Sequence, residues 1–304
     1  MVIIKKIKKE KSNYYVLAHN YREGNKVKTL STYLGKEKPN NEEELKRKFM
    51  QEFYKKRFLK DLDKIKKNFN REYESFPKSA KEKSKENFAV KFTYNTQRIE
   101  GSTLTLKETA NLLEEGITPS FKPLRDVKEA ETHKKVFFMM LENEKNLNRQ
   151  IILEWHKELL KETKNDIAGK IRNHNVAISQ SKFKPPMHIE LESLLKEFFD
   201  WHNKNKSKTH PVELAGLVHL KFVTIHPFTD GNGRISRLMM NFILKKYKFP
   251  LLDIPYTKRT SYYNALERSQ IKNDDSIFIQ WFFKRYLQEY KKYINFEYGY
   301  SSFQ

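Results

Sequence analysis

Turn-forming residues are scarce in this chain, and their scarcity limits the folds open to it: 9 Gly and 10 Pro are spread over 304 residues. An all-β chain places a turn signal about every 8–12 residues, so a mainly helical protein is expected. At about 100–200 residues per domain the length allows one large domain with small additions. One region departs from the helical pattern. Residues 13–19 (NYYVLAH) and 27–34 (VKTLSTYL) are rich in β-branched and aromatic residues and flank Glu23-Gly24-Asn25. They predict a hairpin, extended to a three-stranded meander by Val2–Ile7. Residues 39–85 are charged, with apolar positions at Leu45, Phe49, Phe53, Phe58 and Leu62, and predict a helical arm. The polar Ser/Lys stretch Lys78 to Lys85 is the expected break before a helical core over 86–290, and 291–304 is expected to be a loose tail.

Composition removes several functional classes. The absence of Cys excludes disulfides, thiolate zinc sites and cysteine nucleophiles, and it suits a reducing cytoplasm. The longest apolar run, Val136 to Leu141, is far short of the ~18 residues of a membrane span. The opening MVIIKKIKKEK lacks the h-region of a secretory signal. A net charge of +22 suggests nucleic acid, but 47 of the 60 basic residues are Lys dispersed along the whole chain. Dispersed Lys is the pattern of a solvated surface, whereas phosphate and base readers favour Arg. Nucleic acid is therefore not favoured as a partner.

Chemistry concentrates at one junction. Thr209-His210-Pro211 opens an apolar segment through Ile225 whose polar face is nearly absent, the mark of a central buried helix. His226-Pro-Phe228-Thr-Asp230-Gly231-Asn232-Gly233-Arg234-Ile-Ser-Arg237 follows, and then the apolar stretch Leu238 to Tyr247. Gly231, Asn232 and Gly233 permit positive φ, so their N–H groups can curl around an anion just ahead of a helix N-terminus. Arg234 and Arg237 fall one turn apart at that start, where two cations are unfavourable unless a polyanion meets them. Asp230 beside such an anion suits Mg²⁺, and His226 suits a general base near neutral pH. Taken singly, His226 reads more readily as a satisfied core histidine, and Gly-Asn-Gly as a simple turn.

Together these residues resemble the motif HxFx(D/E)GNGRxxR of the Fic (filamentation induced by cAMP) family, matching it at every specified position. The resemblance covers about residues 87–290, and is especially similar to the Fic enzymes of the animal endoplasmic reticulum and their prokaryotic relatives. It implies a mainly α, Fic-type helical bundle with a β-hairpin flap, preceded here by a small N-terminal β element (1–38) and the helical arm. It implies transfer of AMP from ATP to a Ser, Thr or Tyr hydroxyl of a protein. His226 would be the base and Asp230 the Mg²⁺ ligand. Gly231, Asn232, Gly233, Arg234 and Arg237 would hold the phosphates, and Tyr263 and Gln270 would line the nucleotide site. Gln270 departs from the Asn often found there. Short alternation around Val176, Ala177 and Ile178 predicts a hairpin, which would be the target-docking flap.

A second resemblance concerns regulation. Thr96-Gln-Arg-Ile-Glu100-Gly101 is similar to the family's inhibitory pattern (S/T)xxxE(G/N), in the position of class II members. Asn87 to Ile99 predicts an amphipathic helix ended by Gly101, and Thr105-Leu-Lys-Glu108 predicts the cap of the next one. By itself a terminal Glu is usually solvated. The resemblance implies that Glu100 pairs with Arg237 and blocks γ-phosphate placement. The expectation is an autoinhibited protein adenylyltransferase, self-modification included. Removal of AMP with Glu100 positioning water, and an N-terminal partner-binding or nucleic-acid-binding module, are the alternatives. Homodimerisation stays open.

Overall fold

The computed structural model describes residues 2–9, 12–23 and 26–294 of the chain. Two compact units divide between Asp61 and Leu62, inside the segment expected to be one arm. In the first unit, β1 (Val2–Lys9), β2 (Ser12–Glu23) and β3 (Lys26–Gly35) form an antiparallel meander in the order β1-β2-β3. Ile4 pairs with Leu17 and Leu17 with Thr32, and a register shift falls between Tyr15 and Val16. The Gly24-Asn25 turn lies outside the described residues, as does the tail from Asn295. α1 (Glu42–Glu74) opens with Glu42, Glu43 and Glu44, which favour a helix N-terminus. Within this unit His19 meets Phe53 edge-on at 5.0 Å, and Leu17, Phe49, Phe53 and Phe58 are buried.

The second unit is helical: α2 (Lys78–Ile99), α3 (Leu106–Glu115), α4 (Leu124–Glu142), α5 (Arg149–Leu160), α6 (Leu191–Asn205), α7 (Pro211–Ile225), α8 (Asn232–Lys246), α9 (Arg259–Lys272) and α10 (Asp275–Glu289). α7 and α8 form its centre. Val212, Leu214, Val218, Leu220 and Phe222 of α7 and Ile235, Leu238, Met239 and Leu244 of α8 are buried, which is why α7 is apolar nearly all round and α8 carries an apolar stretch from Leu238 to Leu244 broken only by Asn241. The box expected at Thr105 forms, with Glu108 N–H on Thr105 Oγ1 at 3.2 Å and Thr105 N–H on Glu108 Oε2 at 2.8 Å. Among the described residues no helix is long and apolar enough to cross a membrane.

Two local expectations fail. Residues 78–85 are no break but the first turns of α2, entered from Pro77 at φ −62°. Lys, Glu and Ala are good helix formers, and the polarity there reflects solvent exposure rather than loss of helix. The predicted hairpin at Val176–Ile178 forms no strand ladder; residues 173–187 run as turns and irregular chain. Pro185 and Pro186 lack the N–H groups that a second strand would donate. Side chains hold that loop instead: Asn175 Oδ1 accepts His188 N–H at 3.0 Å, and Glu267 Oε1 accepts from Ser181 Oγ at 2.9 Å and from Lys182 N–H at 2.5 Å.

Candidate active site at the α7–α8 junction

The site begins where α7 stops. His226 caps that helix in the left-handed region, φ 52° and ψ 55°, with its N–H on Phe222 O at 3.0 Å. Such a backbone is costly for a residue with a Cβ and marks a place that the surroundings enforce. The ring is oriented by Val223 O, 3.1 Å from Nδ1. A carbonyl only accepts, so Nδ1 carries the proton and Nε2 keeps its lone pair. Burial pushes the His226 pKa down, and the Arg172 charge adds to that while Glu100 and Asp230 oppose it. The imidazole is therefore neutral near pH 7, as a proton acceptor needs to be.

The loop after His226 is closed by Asn232, whose side chain bonds both main-chain groups of Phe228: N–H on Oδ1 at 2.9 Å and O from Nδ2 at 2.8 Å. The side chain expected to contact phosphate thus folds the loop, leaving only the Asn232 backbone N–H for an anion. Phe228 stacks on His156 at 3.7 Å between ring centres. His156 Nδ1 accepts the Gly169 N–H at 2.9 Å, so Nε2 carries the proton and donates to Asp230 O at 3.0 Å. Burial lowers the His156 pKa to about 4, which keeps that arrangement neutral. Gly231 turns into α8 at φ 82°, where a Cβ would lie 3.3 Å from His156 Cδ2.

Ile235 N–H makes the first helical bond of α8, to Gly231 O at 2.9 Å. The N–H groups of Asn232, Gly233 and Arg234 precede that ladder and form the positive end of the helix. Arg234 is buried; Nη1 donates to Glu129 Oε2 at 2.7 Å and Nη2 pairs with Asp230 Oδ1 at 3.1 Å. Asp230 also pairs with Lys164 and accepts the Gly231 N–H at 2.5 Å. Burial would raise the Asp230 pKa, but Arg234 and Lys164 outweigh it and hold the carboxyl well below the usual range.

Arg237 lies beneath. Nη2 meets Glu100 Oε1 at 2.5 Å, Nε donates to Thr96 Oγ1 at 3.3 Å, and Nη1 donates to Tyr262 OH at 3.3 Å. Tyr262 donates in turn to His219 Nε2 at 2.8 Å. Burial disfavours the Arg237 charge, and Glu100 more than compensates, raising its pKa. Glu100 caps α2, ahead of Gly101 at φ 100°. Its carboxylate lies so close to α8 that a Cβ on Gly233 would be 2.3 Å from Oε1. A carboxylate thus occupies the anion position of the helix start.

Among the predicted residues, Tyr263 donates to Ile99 O at 3.3 Å, with the Arg259 guanidinium 4.9 Å from its ring centre, so it backs the end of α2. Gln270 donates to Thr224 Oγ1 at 3.1 Å, two residues before His226. Val176, Ala177 and Ile178 lie in the irregular loop. The sequence reading missed Glu129, His156, Lys164 and Arg172. Two arginines at a helix start demand counter-charge, but no local spacing says which carboxylate supplies it.

Residues 146–244 match the model of the Fic/DOC family. The chain carries a Fic/DOC family domain. It is 32% identical over 215 residues to protein adenylyltransferase fic-1 of Caenorhabditis elegans, covering 67% of this chain and 41% of that protein. It is 34% identical over 181 residues to protein adenylyltransferase Fic of Nematostella vectensis, covering 58% of this chain and 42% of that protein. The chain thus spans about two fifths of the length of these curated relatives. The solved structure of Fic-1 from C. elegans superposes with a TM-score of 0.71 at 26% identity, over 84% of this chain and 78% of that one. A Fic domain containing signaling protein from Bacteroides thetaiotaomicron gives 0.69 at 26% identity, over 76% of this chain and 95% of that one.

Proposed function

We propose that the Fic/DOC domain makes this chain an autoinhibited protein adenylyltransferase, moving AMP from ATP to a protein hydroxyl. The observation that carries the reading is the Glu100 carboxylate on Arg237 and over Gly233, an internal anion where a terminal phosphate would bind. With Glu100 displaced, Arg237 and the N–H groups of Gly233 and Arg234 would bind the β- and γ-phosphates and neutralise charge on the departing pyrophosphate. His226 Nε2 would take the proton from a Ser, Thr or Tyr hydroxyl as its oxygen forms a bond to the α-phosphorus and the bond to pyrophosphate breaks. The relatives named protein adenylyltransferase support AMP as the group transferred.

Mg²⁺ is a fitting companion. Asp230 is held ionised, partly exposed and beside the anion position, but among the described residues no group of three or more His, Asp or Glu gathers to hold a metal alone. A hard cation would take Asp230 plus phosphate oxygens, with Lys164 giving way, and would screen the phosphate charge.

The test uses ATP labelled at the α- or the γ-phosphate, Mg²⁺ and a panel of proteins. Glu100→Gly should transfer the α-label strongly, wild type weakly and Glu100→Gly/His226→Ala not at all. Transfer of the γ-label, or equal labelling with and without His226, would overturn the reading.

A further inference from the structure

One buried side chain organises the loop between α5 and α6. Arg172 is 4% exposed, and among the described residues no carboxylate pairs with it. Its whole fork is used on main-chain carbonyls from three places. Nε donates to His226 O at 2.9 Å, Nη1 to His174 O at 2.8 Å and Nη2 to Pro186 O at 2.7 Å. Its own N–H bonds Pro227 O at 3.0 Å. His174 and Pro186 stand at the two ends of the irregular loop that lacks a strand ladder, and His226 is the proposed base. A buried guanidinium without a carboxylate is expensive, so an apolar residue would serve packing better. What only a planar fork supplies is three donors in fixed directions.

We propose that Arg172 is a positioning residue for the transfer: it fixes the spacing of the two arms of the 173–187 loop and ties both to the main chain of His226. This inference rests on the reading of His226 as the base. A target segment lying along the loop would then present its hydroxyl at a set distance from Nε2, because one side chain carries both references. Arg172 reaches His226 in a second way. Its charge acts with burial to keep the imidazole neutral, against Glu100 at the end of α2 and Asp230 in the motif loop.

Two substitutions in the full chain, with and without Glu100→Gly, separate these roles. Arg172→Lys keeps a charge but has one nitrogen for three carbonyls; Arg172→Gln loses the charge and most of the fork. Hydrogen exchange of the amides at 173–187 should quicken about tenfold or more in both, the effect of losing a charge-assisted hydrogen bond. Histidine NMR should show His226 titrating higher in Arg172→Gln and nearly unmoved in Arg172→Lys. In the Glu100→Gly chain, KM for the protein target should rise several-fold more than KM for ATP. Unchanged exchange at 173–187 in Arg172→Lys overturns the proposal, and that variant decides even if Arg172→Gln does not fold. An unchanged KM for the protein target in Glu100→Gly/Arg172→Lys, where exchange at 173–187 has quickened, overturns it equally. If Glu100→Gly transfers no AMP while exchange and titration respond as described, the transferase reading fails and the positioning geometry survives it.

Discussion

Arg234 and Arg237 stand one turn apart at the start of α8, and each holds a carboxylate from a distant helix, yet the two pairs differ in depth. Glu129, from the middle of α4, has a side chain only 10% exposed and bonds Arg234 at 2.7 Å. Glu100, from the C-terminal end of α2, is 29% exposed and bonds Arg237 at 2.5 Å. Remove Glu100 and Arg237 still donates to Thr96 and Tyr262. Remove Glu129 and Arg234 keeps Asp230 on Nη2, but Nη1 has no acceptor and Nε is already without one. Depth and redundancy, more than bond length, separate a carboxylate that builds the site from one that can yield its place to another anion.

The largest expected effect tests the deep pair. Glu129→Ala should cost about 3 kcal/mol of unfolding free energy, because a buried guanidinium loses its short pair and keeps only the longer one to Asp230. Urea denaturation reads this directly, and a loss under about 1 kcal/mol would erase the distinction drawn between the pairs.

A third carboxylate shows what depth does without a guanidinium in contact. Asp253 is 2% exposed and accepts from Asn95 Nδ2 of α2 at 2.6 Å, with Lys91 Nζ 3.9 Å away. Burial raises its pKa from the ordinary 3.8 to about 7, against Lys91 and the Asn95 bond. The folded state thus binds the proton more tightly than the unfolded chain. Its contribution is complete below the unfolded pKa and is lost as pH rises through about 7. Between about pH 5 and 8 the loss should be on the order of 2 kcal/mol. Asp253→Asn should flatten that part of the stability curve; an identical slope in the variant would show that Asp253 titrates elsewhere.

The shallow pair should matter less for stability and more for ligand. Glu100→Gly should cost about 1–2 kcal/mol of unfolding free energy, less than Glu129→Ala, since buried Arg237 keeps Thr96 and Tyr262 and the partly exposed Glu100 position admits water. It should raise affinity for inorganic tripolyphosphate by about tenfold or more, a coupling of about 1.4 kcal/mol. Unaltered affinity in isothermal titration would detach Glu100 from the anion position.

What could be read from the sequence follows the same division. The His226–Arg237 run and the Glu100 turn are local in the chain, and their residue types carry their chemistry at short spacing. The partners that hold them are not local: Glu129 reaches Arg234 across 105 residues, His156 reaches Asp230 across 74, and Arg172 reaches His226 across 54. No periodicity encodes such meetings; they arise from packing of α4, α5 and the loop around α8. The N-terminal meander was legible because alternating β-branched and aromatic residues declare a strand locally. The start of α2 was not, because exposed helix and polar linker share a composition, and only the lack of Gly or Pro after Pro77 separated them.

The smallest effect gives the sharpest test of the shallow pair. Gly233 lies in α8 with an ordinary helical backbone, so Gly233→Ala is allowed by conformation and slightly favours helix. The added Cβ would meet Glu100 Oε1 at 2.3 Å and Arg237 Nη1 at 3.2 Å. Oε1 is the tip of a flexible side chain, so the carboxylate should swing away while α8 stays in place. Stability should therefore move by less than about 1 kcal/mol. The informative quantity is the coupling: having already displaced the carboxylate, Gly233→Ala should abolish the stability change caused by Glu100→Gly. It should also reduce the tripolyphosphate affinity gained in Glu100→Gly, because the incoming anion needs the same space. Strictly additive stabilities together with retained affinity would mean that carboxylate and phosphate do not share the Gly233 position.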